Sequence, residues 1–473
     1  MREECGVAGV VKFDSEPHPV PSALRIYYAL YALQHRGQES AGIAVHDGRH
    51  PQTIKGMGLV PEIFDKDDLV SLKGDVGIGH VRYSTSGDSR IENCQPFIVK
   101  YKSGSVALAH NGNLVNGLEL RAQLEAEGHI FVANSDTEVI AHLLVKELLK
   151  HDEVEAVRKV MKQLNGSYSL TIMIDDMLMA VRDPFGFKPL CIGTIDSGYV
   201  VASESVAIDT LNGKLLRDVM PGELVIFREG EIQSYQLFDE KYCAHCVFEY
   251  VYFARPDSII DGQLVYRVRE RIGERLAREY PIDADMVSPV PDSGITSAIG
   301  YSKGSKIDYE ESLMKNRYIG RTFILPGQAM RETAVRLKMN TINDNIKGKK
   351  VILIDDSIVR GTTSRRIIDM VRNAGAMEVH ARIGSPPIVA PCYLGIDMAS
   401  RDELIAAHKT IKGVEAVINA DSLGYLSIDG LVESIGIGRD HLCMGCLTGA
   451  YPVEIPGENI CQRRQLKLNE FDS

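Results

Sequence analysis

No apolar run in this 473-residue chain approaches the roughly 20 residues that a membrane-spanning helix needs. The opening MREECGVAGVVKF lacks the basic start and long apolar stretch of a secretion signal, so the expected location is the cytoplasm. Positive charge is in deficit. The formal net charge of −11 argues against a general nucleic-acid or membrane-surface binder, while leaving room for a local basic pocket. There is no internal repeat, no low-complexity tract and no Walker A pattern, which sets aside solenoids and ordinary P-loop kinases or ATPases. What is present is a globular composition, 44% hydrophobic and 25% charged, on a chain long enough for two or three domains. The nine cysteines are odd in number and lack a secretory context, so they do not read as a disulfide framework. Two CxxC pairs, Cys243/Cys246 and Cys443/Cys446, read instead as metal or cluster ligands.

The texture of the chain changes once. From Cys5 to Gln236 it alternates short strands, turns and a few helices, an α+β layer pattern. SALRIYYALYALQHRG predicts a helix with Leu24, Tyr27, Tyr28 and Tyr31 on one face, Ser22 as its cap and Gly37 after its end. NSDTEVIAHLLVKELL predicts another, with Ser135 and Glu138 spaced as a capping box. SLTIMI, MLMAV, GYVVASE and GELVIF predict strands. Beyond about 235–250, helices alternate with apolar strands such as ADMVSPV and KKVILID, which predicts a mostly parallel, doubly wound α/β sheet. The expected division is 1–4 as a propeptide, 5–240, 241–435, and a C-terminal segment 436–473 with the second CxxC and a polar tail.

The most informative stretch is VILIDDSIVRGTTSRRIIDMVRNAG, 351–375. An apolar strand ends in two carboxylates, a Gly-Thr-Thr-Ser turn follows, and a helix starts with Ile367, Ile368, Val371 and Ala374 inward and Gly375 as its stop. In an α/β sheet a ligand sits at the carboxyl ends of the strands. There Gly361, Thr362, Thr363 and Ser364 can aim N–H groups and hydroxyls at a phosphate. Asp355 and Asp356 repel phosphate, so they suit ribose hydroxyls or a Mg²⁺ ion held by substrate oxygens. An acidic turn capping a helix is the plainer reading of a lone Asp-Asp. The stretch resembles the phosphoribosyl pyrophosphate loop of type I phosphoribosyltransferases, and VSPVPDSG (287–294) resembles their pyrophosphate loop. This resemblance implies Mg²⁺ near Ser293, Asp355 and Asp356, and substrate binding by Asp355, Asp356, Ser357, Arg360 and Gly361 through Ser364. KNRYIGRTFI (315–324) resembles the closing loop, with Lys315, Arg317 and Arg321 as cations for pyrophosphate oxygens.

The first half offers a nucleophile. An isolated Cys5 is most simply a buried apolar residue. A cysteine at a free N-terminus, however, can use its own α-amine as base. ECGVAGV, LQHRGQESAGI (33–43), GHVRYSTSG (79–87), AHNGNLVN (109–116) and SDTE (135–138) resemble the motifs of class II glutamine amidotransferases, N-terminal-nucleophile hydrolases with an αββα sandwich. Amide hydrolysis needs a nucleophile and donors for the oxyanion, and Cys5, Asn111 and Gly112 are the candidates. Glutamine needs a cation for its carboxylate and an anion for its ammonium, and Arg82 and Asp136 are the candidates. Arg36 and Gly37 join them by resemblance. Taken singly, Asn-Gly is a common turn pair and Asp136 a helix-start acid.

Together the two halves resemble the amidophosphoribosyltransferase family over nearly the whole chain; KGMGLVPEIF, FEYVYFARPDS and PGQAMR fit as well. The resemblance implies that ammonia released from glutamine at Cys5 passes internally, near Tyr318, to displace pyrophosphate from the ribose. It also implies a homotetramer and feedback by purine nucleotides. One subclass carries a [4Fe–4S] cluster, whose pattern matches Cys246, Cys392, Cys443 and Cys446. The departure is Cys243, which leaves open a zinc site of Cys243, Cys246, Cys443 and Cys446. Cys94, Cys191 and Cys461 have no assigned role. Other class II amidotransferases lack VILIDDSIVRGTTS; a regulatory protein that binds phosphoribosyl pyrophosphate would lack the Cys5 constellation.

Overall fold

The computed structural model describes residues 5–13, 20–83, 89–196, 198–228, 230–238, 243–316, 339–398 and 400–455. The proposed Met1–Glu4 propeptide, Arg317, Tyr318, Arg321 and Cys461 lie outside them.

Two antiparallel sheets, of seven and six strands, occupy residues 6–236. The strand Gly6–Lys12 runs centrally in the first, between Val76–Arg82 and Gly198–Ala202. The long strand Gly104–Leu114 runs in the second, beside Gly166–Ile174. Val7, Val11, Ala107, Ala109 and Leu178 meet in the apolar layer between the sheets. The outer face of the first sheet packs on the helix Ser22–Ala32 through Ala23, Ile26, Ala29 and Leu30. That of the second packs on Asp136–Leu148 and Glu153–Met161. The result is an αββα sandwich. Its central strands are buried on both faces, so they read as continuous apolar runs instead of alternating ones.

Two helix readings are corrected. Pro21, not Ser22, precedes the first helix, and Leu33 caps its end without Gly37. Its predicted stripe is split: Tyr28 and Tyr31 are exposed, while Leu24 and Tyr27 are half-buried against the core, Tyr27 next to Phe64. The aromatic stripe misled because the seated face is built from smaller side chains. In the second helix Ser135 caps Thr137 as expected. Glu138 does not complete the box; its carboxylate accepts the N–H groups of Val132 and Ala133 instead.

A four-stranded parallel sheet follows, with Met286–Pro289, Lys350–Asp355, Glu378–Ile383 and Ser422–Tyr425 in chain order. Helices cover both faces as predicted, Val265–Glu279 and Ile295–Ser305 on one and Thr362–Asn373 and Ile411–Ile418 on the other. Residues 308–310 pair in parallel with Val287 on the other side of the first strand, so the strand order reverses between Met286–Pro289 and Lys350–Asp355, as a doubly wound sheet requires. The C-terminal segment folds back: Leu442–Cys443 pairs with His245–Cys246, just after the first half ends.

The helices Val265–Glu279 and Ile295–Ser305 cross at glycines. A Cβ on Gly273 would meet the Ser297 carbonyl, and one on Gly300 the Glu270 carbonyl, each at 2.0 Å or less. Both obstacles are backbone, so relief requires the helices to separate. Gly273→Ala is expected to destabilise the second half by about 1–3 kcal/mol, read as a lowered thermal midpoint.

Candidate active sites

Strand alternation builds the first site. Val7 and Ala109 point into the layer between the sheets, so Cys5 and Asn111, two residues away, share that side. Val76 and Ile78 do likewise on the neighbouring strand, which turns His80 and Arg82 the same way. His80 Nε2 lies 3.1 Å from the His110 carbonyl, joining the two strands across the layer. Burial pushes the His80 imidazole down to about 3, so it stays neutral.

Cys5 is 6% exposed, with Sγ 3.5 Å from the Tyr83 carbonyl. Burial pushes its thiol up to about 11; Arg82 opposes this, and Asp136 and Glu39 add to it. The sequence-predicted Arg82 and Asp136 thus lie within electrostatic reach of Cys5. A thiol held this high needs a base to react at neutral pH. Arg82 Nη1 donates to Glu39 Oε1 at 2.5 Å, and Asp136 Oδ2 accepts from the Leu114 N–H at 3.0 Å.

Asn111 is wholly buried, yet neither its side-chain nitrogen nor its oxygen has a hydrogen-bond partner. A buried amide normally finds partners, and the desolvation cost of leaving one open is substantial. Gly112 follows at φ +150°, with the Ser167 carbonyl 2.1 Å from where a Cβ would sit. Only glycine fits there, and it keeps the backbone beside Asn111 unscreened. An open donor next to bare backbone is the arrangement an oxyanion requires.

Arg36 is held next to Cys5 by buried contacts. Its guanidinium is fully buried and donates to Glu204 at 2.7 Å, to Glu249 at 2.6 and 3.0 Å, and through Nε to the Cys5 carbonyl at 3.0 Å. Arg36 thus anchors the Cys5 carbonyl to two buried carboxylates. Burial raises the Glu204 carboxyl, but His35, Arg36 and Ser258 together hold it well below its usual range. Gly37 lets the chain lie against Val81 and Arg82, whose backbone leaves no room for a Cβ. Sequence reasoning missed Glu39, Glu204 and Glu249. Glu39 and Glu249 lie inside quoted motifs and Glu204 ends a quoted strand, but nothing local marks the partnership of the last two with Arg36.

The second site is a cavity of about 590 Å³ at the carboxyl ends of the parallel strands. It brings together Ser293, Asp355, Asp356, Ser357, Arg360, Gly361, Thr362, Thr363 and Ser364. Gly361, at φ +75°, caps the helix Thr362–Asn373, leaving that helix's first N–H groups and two exposed threonines at the cavity. Asp356 accepts from the hydroxyls of Ser293 and Ser357, each at 2.6 Å. Burial, then the neighbouring Asp356, push the Asp355 carboxyl well above its usual range. A half-buried carboxylate pair with a hydroxyl alongside is a hard oxygen donor set that suits Mg²⁺. Arg360 pairs with Glu403 at 2.8 Å, and Lys315 with Asp292 at 2.5 Å. Tyr252, also unpredicted, lines the cavity.

Compared with known proteins, residues 80–210 match the model of a glutamine amidotransferase domain. The amidophosphoribosyltransferase of Archaeoglobus fulgidus is 55% identical over 457 residues, 96% of this chain and 99% of that one. The chain belongs to the amidophosphoribosyltransferases. A solved glutamine phosphoribosylpyrophosphate amidotransferase from Bacillus subtilis, complexed with ADP and GMP, superposes with a TM-score of 0.89. It is 44% identical and the match covers 96% of this chain and 98% of that one. A second structure, described as the allosteric regulatory enzyme of purine biosynthesis, reaches 0.90 at 44% identity with the same coverage. An amidophosphoribosyltransferase must free an amino group and attach it to a phosphoribosyl carbon, and the two sites divide that work.

The cysteines form a third locus. Cys246 and Cys443 are partners in the short parallel pair. Cys446 accepts the Val389 and Ala390 N–H groups at its carbonyl, near Cys392. Burial raises the Cys446 thiol far above its usual value, and Cys392, Cys246 and Cys443 raise it further. Burial likewise pushes Cys443 up to about 12. Cys243 stands elsewhere, under the charges of Arg182, Asp261 and Asp183. Cys94 and Cys191 are buried core thiols.

Arg36→Met would leave Glu204 and Glu249 buried without their cation. The expected loss is about 3–5 kcal/mol, seen as a lower thermal midpoint. It should be accompanied by slower alkylation of Cys5, because the carbonyl of that residue loses its anchor.

Proposed function

We propose that the chain makes 5-phosphoribosylamine from phosphoribosyl pyrophosphate, glutamine and water, releasing glutamate and pyrophosphate, the first committed step of purine biosynthesis. The observation that carries the residue roles is the unpartnered, buried Asn111 amide on the same side of the strand layer as Cys5. With residues 1–4 removed, the Cys5 amine takes the thiol proton and Sγ attacks the side-chain carbonyl of glutamine. Asn111 and the Gly112 backbone receive the oxyanion. The tetrahedral species collapses, the amine returns its proton to the leaving nitrogen, and ammonia departs. Water then hydrolyses the thioester to glutamate. Arg82 and Asp136 hold the carboxylate and ammonium of the substrate.

At the second site, Gly361 through Ser364 bind the 5′-phosphate. Asp355, Asp356 and Ser293 would hold Mg²⁺, which supplies charge neutralisation for pyrophosphate as it leaves. Ammonia attacks ribose C1 opposite the departing pyrophosphate and then loses a proton. Lys315 meets the pyrophosphate; Arg317 and Arg321, assigned to pyrophosphate by resemblance, and Tyr318, assigned to the ammonia route, lie outside the described residues. The division of labour falls at about residue 240, with 241–435 serving the phosphoribosyl step. Purine nucleotides inhibit, the working form is a homotetramer, and the enzyme acts in the cytoplasm. No helix among the described residues is long and apolar enough to cross a membrane.

Cys246, Cys392, Cys443 and Cys446 would hold a [4Fe–4S] cluster. The influence of Cys392, Cys246 and Cys443 on the Cys446 thiol, together with the pairing of Cys246 with Cys443, supports this reading. Among the described residues no three His, Cys, Asp or Glu side chains are arranged to hold a single metal ion. A four-iron cube spreads its thiolates wider than one tetrahedral zinc does.

Cys5→Ala is expected to abolish glutamine-dependent pyrophosphate release while keeping the rate with added ammonia; loss of both in a folded variant contradicts two separate sites. Mass spectrometry of active wild-type protein should give an N-terminus at Cys5. Protein purified without oxygen should be brown and contain about four irons per chain. Colourless protein with one zinc would overturn the cluster.

A further inference from the structure

The strand that carries Asn111 and Gly112 is gripped from outside its own sheet. Two contacts reach it, and a third reaches its neighbour Gly166–Ile174, from the segment just after Cys392. Asn113 Nδ2 donates to the Tyr393 carbonyl at 2.9 Å, across 280 positions of sequence. Ser167 Oγ donates to the Leu394 carbonyl at 2.9 Å, across 227 positions. Gly395, at φ +95°, lies so close that a Cβ there would stand 3.1 Å from the Gly112 Cα and carbonyl carbon. The Ser167 hydroxyl also accepts the Asn113 N–H at 3.1 Å, which makes it a bridge between the strand and the segment. At the far end, the Leu394 N–H donates to Cys392 Sγ at 3.3 Å. The run is continuous: Cys392 thiol, Leu394 peptide, Ser167 hydroxyl, Asn113 N–H, Gly112.

We propose that Ser167 and Asn113 are positioning residues for glutamine hydrolysis, holding the oxyanion donors in place by clamping their strand to Tyr393–Gly395. The inference rests on the reading of Asn111 and Gly112 as those donors. Ser167 is wholly buried and touches neither Cys5 nor the phosphoribosyl cavity in any contact described above. Of its two hydrogen bonds, one holds the N–H of the residue next to Gly112 and the other anchors Ser167 itself to the Leu394 carbonyl. Donors for an oxyanion act through placement, and a displacement well under the length of a hydrogen bond reduces their effect. The contacts are made by the phosphoribosyl half of the chain, so glutamine chemistry in the first half is shaped by backbone contributed by the second.

The test compares Ser167→Ala and Asn113→Ala with wild type in the full-length, metal-replete enzyme. For Ser167→Ala the kcat for glutamine hydrolysis is expected to fall about tenfold with KM for glutamine within about twofold, a partial loss of what a whole oxyanion donor supplies. The ammonia-dependent rate should not change. Alkylation of Cys5 by iodoacetamide should not change either, because that displacement forms no oxyanion. Asn113→Ala, which loses one contact at a less buried position, should show the same pattern more weakly, and it serves if Ser167→Ala does not fold. An unchanged glutamine kcat in both folded variants overturns the proposal. So does a fall matched in the ammonia rate or in Cys5 alkylation, which marks general disruption. Asn111→Ala separates the two possible failures. If it keeps the glutamine rate, the oxyanion reading falls and this inference with it. If it loses the rate while the clamp variants keep theirs, only the positioning role falls.

Discussion

A single buried guanidinium, that of Arg36, ties the two chemistries of this protein to one another. It reaches the Cys5 carbonyl on one side and Glu204 and Glu249 on the others. A charge removed from water is tolerable only when every direction of it is answered, and here the answers come from three distant parts of the chain. Glu249 opens the one-turn helix Glu249–Phe253, and Tyr252 of that same turn lines the phosphoribosyl cavity. Arg269 fastens the turn by donating to the Tyr250 and Ala254 carbonyls at 2.8 Å. The nucleophile of the first site and the wall of the second are therefore separated by one ion pair and one turn of backbone. A shift of that turn cannot leave the ion pair unchanged, which gives the two sites a common mechanical element.

Much of the chemistry was legible in the sequence because it is local. Asp355, Asp356 and Gly361 through Ser364 occupy one strand, one turn and one helix start, so their spacing alone brings them into a single cavity. Asn111 and Gly112 are adjacent, and alternation along one strand sets the direction of each. The change of texture near residue 240 separates an α+β half from a parallel sheet, while the αββα sandwich was implied only by the resemblance of the motifs. What stayed hidden depends on contact across long loops. Arg36 meets Glu204 and Glu249 over 168 and 213 positions, and nothing near any of the three marks the partnership. Arg36 entered the site by resemblance; its burial was not legible in the sequence. The stripe of Tyr28 and Tyr31 looked like a core face because aromatic residues dominate it, while the helix is seated on alanine, isoleucine and leucine.

The two sites also differ in how they manage unfavourable burial. The thiol of Cys5 and the open amide of Asn111 are neutral groups held ready in a dry layer between sheets. The carboxylates of Asp355 and Asp356 are a charge problem that calls for a cation. One site holds neutral groups, and the other holds carboxylates whose charge a bound cation could balance. The separation suits a sequence of steps in which the first liberates a neutral molecule and the second expels a highly anionic one.

The seam along Phe185–Lys188 has a consequence for the order in which the molecule is made. The Phe185 and Phe187 carbonyls accept the N–H groups of Ala244 and Cys246, and Cys246 in turn pairs with Cys443. During synthesis the sandwich emerges whole by residue 236, yet this edge of it has no complete covering until the ribosome has passed Cys446. The first half must persist for some two hundred further residues with that edge uncovered. The final closure of the protein is thus a late event, governed by the arrival of its C-terminal cysteines and not by the folding of the sheets they seal.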